Sequence, residues 1–279
     1  MKRKTVKAIT LLYEIKVEKK KAKFIRKYRK VFFDELQAQL KPIMYAIKTF
    51  NTPEEVEAAI PTLIRDEGMY ATFDKLYKEV GIDFASWIYE AAEKKYPQKA
   101  QKNVTDKLEF QWSQELANYV LNEVAAFITT ITLTSGVQAL RLVQLTVAES
   151  LDQGLSIPNT MKLLEKRIPI AWRKVNKWRS ELIARTEVLG ASNKGMMIGA
   201  DSMETELGIV SVKVWSARLD SRVREDHRAA DGQEVLRTIP FVVGGAAMMQ
   251  PGDHNGGAGN VCNCRCAVKL RVNDQDLIP

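Results

Sequence analysis

The residues that could do chemistry are concentrated in the last third of the chain. Both histidines and all three cysteines lie between residues 220 and 266: His227, His254, Cys262, Cys264 and Cys266. Imidazole nitrogens and thiolates are the ligands that zinc prefers, and both groups also serve as bases or nucleophiles. This clustering predicts that the segment either holds a local structure in shape or carries out a local reaction.

The cysteine spacing, C-x-C-x-C, is by itself a weak zinc signal. Tetrahedral zinc needs four ligands, usually from two chain segments. His227 would come from one segment and Cys264 and Cys266 from another, with Cys262 or His254 as the fourth ligand. Alternatively, the cysteines are small buried side chains whose alternation along a strand points them to one face. A disulfide framework is disfavoured because three is an odd number and C-x-C pairs bridge only with strain.

A second set of residues in this region is charged. One hypothesis is a ribonuclease-like or nucleotide-modifying site, with His227 as base and Glu187 or Asp220 orienting it. We favour a structural network in which guanidinium–carboxylate bonds fix loops around a small sheet. Its predicted members are Arg185, Glu187, Asp220, Arg222, Arg224, Asp231, Asp253 and Arg265. Within it, Asp231-Gly232 and Pro251-Gly252-Asp253 are typical of turns.

The elements that must position these residues change character along the chain. Residues 14–199 are poor in glycine and carry apolar stripes at helical spacing, whereas eleven of the fifteen glycines lie between Gly190 and Gly259. Residues 211–215 and 266–272 alternate as half-buried strands do. The predicted class is α+β, a mainly helical N-terminal domain followed by a small glycine-rich α+β C-terminal domain. The predicted domains are a basic arm (1–30), a helical domain (31–180) and a small α+β domain (181–279).

Local signals predict several helix boundaries. A break is expected at Pro42, and Thr52 followed by Pro53 is typical of a helix start. The β-branched residues 129–134 predict a turn between two helices, the second carrying its stripe over residues 137–151. Gly154 is expected to end that helix as a C′ glycine, and Ser156 or Asn159 to begin the next.

The charge is concentrated at the N-terminus. The chain carries a net charge of +8, yet residues 1–30 alone contain thirteen basic and two acidic residues. Such a segment attracts phosphates through counterion release, and equally any acidic protein surface. A plain solvated helix face is the simpler alternative. The predicted DNA-binding residues are Lys16, Lys19, Lys20, Lys21, Lys23, Arg26, Lys27, Arg29 and Lys30.

Length and hydropathy limit the location. With 279 residues the chain accommodates two domains. No run of consecutive apolar residues approaches the roughly 18–20 needed to cross a bilayer, and the basic start is not followed by a signal-peptide segment. We expect no membrane partner.

The order of several motifs resembles the phage head morphogenesis family typified by phage Mu protein F. The resemblance covers residues 151–266 and rests on the whole series: Gly154-Leu155-Ser156, Arg185-Thr186-Glu187, Asn193-x-Gly195, Trp215, Asp220-x-Arg222-x-Arg224-x-x-His227, Asp231-Gly232-Gln233, Phe241, Pro251-Gly252-Asp253 and Asn263-Cys264-Arg265-Cys266. It implies a minor capsid protein of the virion, at the portal vertex or capsid interior, and in the host cytoplasm during assembly. The implied partners are the portal, the major capsid or scaffold protein, and double-stranded DNA bound without sequence preference.

One departure from the family concerns the metal. Many relatives carry C-x-x-C where this chain has Arg224-x-x-His227, and a histidine where it has Val261. Only His227, Cys264 and Cys266 therefore fall on ligand positions, with Cys262 as the available substitute. The resemblance implies a cross-braced region that holds either a structural zinc ion, the single expected cofactor, or an arginine-based network in its place.

Overall fold

A computed structural model describes residues 2–99 and 104–277, with side chains from Tyr13 onward except Thr105. Most of this part of the chain is helical. Its α-helices are α1 (Lys2–Ala38), α2 (Leu40–Thr49), α3 (Pro53–Leu63), α4 (Glu67–Lys95), α5 (Thr105–Tyr119), α6 (Ala125–Asp152), α7 (Ile157–Leu207), α8 (Glu225–Ala229) and α9 (Gly257–Val261). A π-helical turn, Val120–Val124, joins α5 to α6.

Two small antiparallel sheets follow α7. The strands are β1 (Val212–Ser216), β2 (Glu234–Leu236), β3 (Phe241–Val243), β4 (Ala246–Met248), β5 (Ala267–Val272) and β6 (Gln275–Leu277). One sheet has the order β2-β1-β5-β6, and β3 pairs with β4 in the other. In the central pair, Val214 lies opposite Lys269 and Trp215 opposite Val268. The predicted α+β class, with a helical N-terminal region and a small C-terminal sheet region, is confirmed.

The described residues pack into two compact units. The helical unit comprises residues 29–73 and 124–183, and the sheet unit comprises the described residues of 2–28, 74–99, 104–123 and 184–277. This division differs from a contiguous helical domain over residues 31–180, because residues 74–123 pack with the C-terminal region. Apolar periodicity reports that a helix has a buried face, but not which later segment covers that face.

The helical unit is built on an apolar core. Its central cluster consists of Leu40, Ile43, Ile47, Val56, Ile60, Ala139, Val143, Leu164, Ile168 and Trp172. Trp172 is fully buried and its indole nitrogen donates to the carbonyl oxygen of Leu36 at 2.8 Å. Burying the indole therefore leaves its polar atom satisfied.

The second half of α7 is the centre of the sheet unit. Every residue from Thr186 to Ala200 except Lys194 is buried, so the helix is covered on all sides. Small residues allow this: a Cβ atom added to Gly195 would lie 2.2 Å from the carbonyl oxygen of Gly81 on α4. One added to Gly199 would lie 2.5 Å from the carbonyl oxygen of Ala85. The two helix backbones approach too closely for any side chain at these positions.

Several predicted boundaries are confirmed. A break separates α1 from α2 just before Pro42, and Thr52 caps α3 by accepting from the Glu55 amide. Gly154 follows α6 with a φ of 62°, and α7 begins directly after Ser156. Strands β1 and β5 coincide with the predicted segments to within one residue.

The turn predicted at residues 129–134 is wrong, since this segment lies within α6. Thr130 and Thr134 each donate their hydroxyl to the carbonyl four residues earlier, which lets β-branched polar residues remain in the helix. The stripe expected over residues 137–151 is wrong in part, because Val137 and Leu151 are exposed.

The helical stretch Asp106–Asp152 meets the length and composition criterion for a membrane span, with a mean hydropathy of 1.4 over its most apolar 18 residues. Interspersed threonines and glycine explain why no unbroken apolar run marks it in the sequence. Core helices of soluble proteins meet the same criterion, so this finding is weak evidence. The expectation of no membrane partner stays a prediction.

Candidate functional site

The structure brings three of the predicted metal ligands together. His227 lies on α8, while Cys264 and Cys266 lie between α9 and β5; all three are buried. The Nδ1 atom of His227 is 3.5 Å from Sγ of Cys264 and 3.3 Å from Sγ of Cys266. All three cysteines of the chain are free thiols.

The three side chains fit a zinc ion. Tetrahedral bonds of about 2.0 Å to nitrogen and 2.3 Å to sulfur place those ligand atoms about 3.6 Å apart, close to the separations here. A cavity of about 20 Å³ borders all three residues, and one ion or water needs roughly 10–15 Å³. The Nε2 atom of His227 is buried without a hydrogen-bond partner among the described residues. Zinc bound at this centre would act as a cross-link between two loops.

The two thiols are electrostatically unequal. The hydrogen bond with Cys266, together with the contact to His227, lowers the pKa of Cys264. The same shared hydrogen bond, with burial, raises the pKa of Cys266. Cys264 is therefore the thiol that ionises first, and a thiolate is the form that binds metal.

Cys262, the predicted fourth ligand, is not part of this cluster. Its side chain is half-buried, burial raises its pKa, and its carbonyl oxygen accepts from the Arg224 guanidinium. Arg224 thus ties the loop before Cys264 to the start of α8. Among the residues that the structure describes, three side chains converge here and a fourth does not.

Asp220 and Arg265 form an ion pair beside the cysteine cluster. Both carboxylate oxygens of Asp220 accept from Arg265, and one of them also accepts from the Arg222 amide. These hydrogen bonds, led by that from Arg265, lower the pKa of Asp220. The bidentate geometry ties the loop after β1 to the Cys264–Cys266 loop.

Glu187 lies in a second, separate cluster. It is fully buried on α7, and its Oε2 atom accepts from the Tyr77 hydroxyl at 3.0 Å and lies 3.3 Å from Nε2 of His254. Burial lowers the pKa of His254, but the adjacent Glu187 carboxylate outweighs it, so the net shift is upward. Burial first, and then Glu187, raise the pKa of Tyr77. The cluster is a buried, hydrogen-bonded group rather than an open base.

The remaining predicted network members act locally. Asp231 accepts from the Ala217 amide, and Asp253 accepts from the amides of Met249 and Asn255. Arg185 is exposed on α7. The contacts of seven of the eight charged residues fall into the Asp220–Arg265 pair with the Arg222 amide, the Glu187 cluster, and separate loop contacts of Arg224, Asp231 and Asp253. That all eight act as one network stays a prediction.

Asn193 connects more backbone segments than any residue in the predicted set. Its amide donates to the carbonyl oxygen of Pro251 at 2.9 Å, and its oxygen accepts from the amide of Val268 at 2.9 Å. Next to it, the turn at Gly252 has a φ of 86° and lies against Gly190; a Cβ on Gly252 would be 2.8 Å from the Cα of Gly190. The Asn-x-Gly and Pro-Gly-Asp motifs are thus the parts of one contact surface.

Sequence reasoning missed a buried lysine. Lys213 on β1 is fully buried, donates to the carbonyl oxygen of Met249 at 2.8 Å and lies over the ring of Phe241. Burial lowers its pKa to about 8. Alternation places Lys213 on the same strand face as the buried Trp215, but no local pattern reveals the distant carbonyl oxygen of Met249 that pairs with it.

The predicted DNA-binding segment belongs to α1, not to a separate arm; residues 1–12, with Lys2, Arg3, Lys4 and Lys7, lie outside the described side chains. Four of the nine predicted cations have carboxylate partners: Lys20 with Asp83, Lys21 with Glu18, Lys27 with Glu79, and Arg29 with Glu181. Lys21 is only 3% exposed. Lys19, Lys23 and Arg26 are exposed at helical spacing and have no carboxylate partner among the described side chains.

The chain matches the family profile described as Phage Mu protein F like protein over residues 141–269. It is 30% identical over 134 residues to the minor head protein GP7 of Bacillus phage SPP1. That alignment covers 47% of this chain and 41% of GP7, so the chain spans less than half the length of this relative. No solved structure matches the chain significantly. The match includes Asn193, Gly195, Pro251-Gly252-Asp253 and the cysteine loop, so residues 141–269, just under half of the chain, are similar to the phage Mu protein F-like proteins, as the order of the motifs predicted.

Proposed function

We propose that the protein is a minor head protein, incorporated into the capsid near the portal and assisting procapsid assembly and DNA packaging or delivery. The observation that carries this proposal is the bracing of the matched region. Its motif residues contact one another: Asn193 with the turn at Pro251, and Thr186 with the Asn263 amide at 3.1 Å. A small domain held in this way suits a permanent structural part of an assembly, with the portal and the major capsid or scaffold proteins as partners.

Head incorporation tests this proposal. The protein, carrying a tag, is produced together with the head genes of its phage, and the purified heads are analysed by mass spectrometry. We expect a few copies per head, fewer than the major capsid protein by at least ten-fold. Heads that lack the tagged protein while assembling normally would contradict the proposal, as would recovery of the protein outside heads alone.

The DNA contact of this function is assigned to the exposed cations of α1. Lys19, Lys23 and Arg26 lie one above another at spacings of four and three residues. Deleting residues 2–30 is a poor test because it would also remove Tyr13, Val17 and Phe24 from the core. Replacing the three cations by glutamine removes charge and leaves the buried face intact. Binding to duplex DNA should weaken and depend less steeply on salt.

A structural zinc ion is proposed for His227, Cys264 and Cys266, with water as the remaining ligand. The convergence of three buried ligand atoms within 4.8 Å of one another supports it. Elemental analysis of purified protein should find close to one zinc per chain, and Cys264→Ser should lower both the zinc content and the melting temperature. Metal-free protein that melts like the untreated protein would favour the arginine network.

The alternative is a nuclease or nucleotide-modifying enzyme that uses His227 with Glu187 or Asp220. Against it, His227 contacts the two thiols, Glu187 is bonded to Tyr77 and His254, and Asp220 is bonded to Arg265. Each proposed catalytic group is thus engaged elsewhere. Prolonged incubation with nucleic acid, with and without Mg²⁺ or Zn²⁺, should leave it intact. Cleavage that is lost in His227→Ala but kept in Arg224→Ala would favour the enzyme.

A further inference from the structure

One face of α7 in the helical unit is strongly basic. Between residues 162 and 178 the exposed side chains of this helix are mainly cations: Lys162, Lys166, Arg173, Lys174 and Lys177. At about 100° per residue these positions fall within about 120° of the helix circumference. The opposite face carries the buried residues Leu164, Ile168 and Trp172. We call the five cations the α7 basic face.

The carboxylates of this part of the helix are already engaged. Glu165 pairs with Lys48 at 3.4 Å, and Glu181 pairs with Arg29 at 3.9 Å. None of the five cations of the α7 basic face has a carboxylate within 4 Å among the described side chains, in contrast to half-exposed Arg167, which pairs with Glu149. The charge on this face is therefore uncompensated within the helical unit.

Two large apolar side chains lie among these cations. Ile170 is 68% exposed and lies in the middle of the face, and Trp178 is 66% exposed, one turn beyond Lys174. An indole exposed to this degree costs hydration free energy, which a ligand that covers it would recover. Aromatic side chains placed among cations are a recurrent arrangement on nucleic-acid-binding surfaces.

We propose that the α7 basic face binds the phosphate backbone of double-stranded DNA. The face runs for about 24 Å along the helix, and a duplex presents about one negative charge per 1.7 Å of its axis, so several phosphates lie within reach. Four of the five cations are lysines, which protein–protein interfaces tend to exclude, so an acidic protein surface fits less well. This inference rests on the proposed function only because it takes packaged DNA as the ligand. The α7 basic face shares no residue with the α1 cations Lys19, Lys23 and Arg26.

The test compares two triple variants of the full chain. Lys166→Gln/Arg173→Gln/Lys177→Gln removes three charges from the α7 basic face. Lys94→Gln/Lys95→Gln/Lys107→Gln, the matched control, removes three exposed lysines from α4 and α5. Binding to a labelled 30-base-pair duplex is measured between 0.05 and 0.3 M salt. The first variant should bind at least ten-fold more weakly at 0.1 M salt, with a logarithmic salt slope shallower by about 2–3.

An equal loss of affinity in both variants would show that the binding depends on the net charge of the chain and not on the α7 basic face, and it would overturn the proposal. The proposal also fails if the first variant binds like the unaltered protein while Lys19→Gln/Lys23→Gln/Arg26→Gln loses binding. That second result would leave the DNA contact of α1, and head incorporation, standing. Poly-glutamate that displaces the duplex at equal charge concentration would assign the face to an acidic protein instead.

Trp178 gives a readout that needs no charge substitution. Trp112, Trp172 and Trp215 are buried and Trp87 is partly buried, so Trp178, 66% exposed, is the most accessible of the five tryptophans, and the difference between the unaltered protein and Trp178→Phe isolates its fluorescence. Bound duplex should protect it from acrylamide, and the protection should disappear in Trp178→Phe. Full quenching of Trp178 in a saturated DNA complex would show that the face stays open to solvent, and the proposal would be abandoned.

Discussion

The two halves of α7 are buried for different reasons. Its first half carries an apolar stripe, Leu164, Ile168 and Trp172, that packs into the core of the helical unit. Its second half is buried on all sides, yet it includes Glu187, Asn193 and several glycines. The first half is stabilised by apolar area removed from water, and the second by close backbone approach and hydrogen bonds to loops. A helix can thus serve as a core element in two energetically distinct ways.

The comparison explains why the C-terminal region needs so few regular strands. Four of its six strands have only three residues. The loops between such short strands leave many backbone N–H and C=O groups without strand partners, and any of these groups that is buried must find another hydrogen bond. The side chains of Asn193, Lys213 and Asp253 hydrogen-bond to these buried backbone groups. The stability of the C-terminal region therefore depends on a few single polar residues, whereas in the helical unit it is distributed over many apolar residues.

The largest expected effect is on the apolar half. Trp172→Ala should lower the free energy of unfolding by about 3–5 kcal/mol, because it leaves a large cavity and an unpaired carbonyl at Leu36. Trp178→Ala on the same helix is the matched control and should change it by under about 0.5 kcal/mol. Chemical denaturation measures both. Similar losses in the two variants would remove the distinction between buried and exposed faces.

Close approach in the second half is tested by the same substitution at two glycines. Gly195→Ala places a methyl group against the backbone of Gly81 and should cost about 3 kcal/mol, because helix α4 must move. Gly136→Ala, with open space around it, should be neutral or stabilise α6 by up to about 1 kcal/mol. A tolerated Gly195→Ala in thermal melting would show that α4 and α7 are not packed as closely as described.

Hydrogen bonding in the second half is tested by Asn193→Ala. The change leaves the Val268 amide and the Pro251 carbonyl unpaired inside the protein, at about 1–3 kcal/mol for each buried group. We expect the C-terminal region to become protease-sensitive at lower temperature than the rest. Asn122→Ala, at an exposed asparagine, serves as control. If both variants resist protease equally, the polar contacts are not what stabilises this half.

The smallest expected effect depends on pH. Because the folded-state pKa of His254 is raised, its pairing with Glu187 stabilises fully below the unfolded pKa near 6.5 and is lost as pH rises through the folded value. The stability difference between the unaltered protein and His254→Gln should therefore be larger at pH 6 than at pH 9. A difference that is constant, or that grows with pH, would mean that this histidine folds uncharged.

The sequence was informative where one periodicity decides burial. Phe24, Tyr28, Phe32 and Leu36 recur at helical spacing and form the buried face of α1. The trio of His227, Cys264 and Cys266 was expected from residue type and position. Lys213 was not, since its partner at Met249 lies 36 residues away and no local pattern encodes such a contact. The α7 basic face was not predicted for a related reason. The sequence shows where the cations of α1 and α7 lie, but it does not show which of them are paired with carboxylates.

One contact of α1 bears on how the chain is made. The hydroxyl of Tyr13 donates to the carbonyl oxygen of Val268 at 2.6 Å, although the two residues are 255 positions apart in the sequence. Strand β5, which carries that carbonyl, is also one of the two central strands of the main sheet. A nascent chain therefore cannot close this unit until residues 267–272 have left the ribosome, and such distant contacts form slowly. Chains that stop before β5 would lack the central strand pair and the Tyr13 contact that complete the sheet unit.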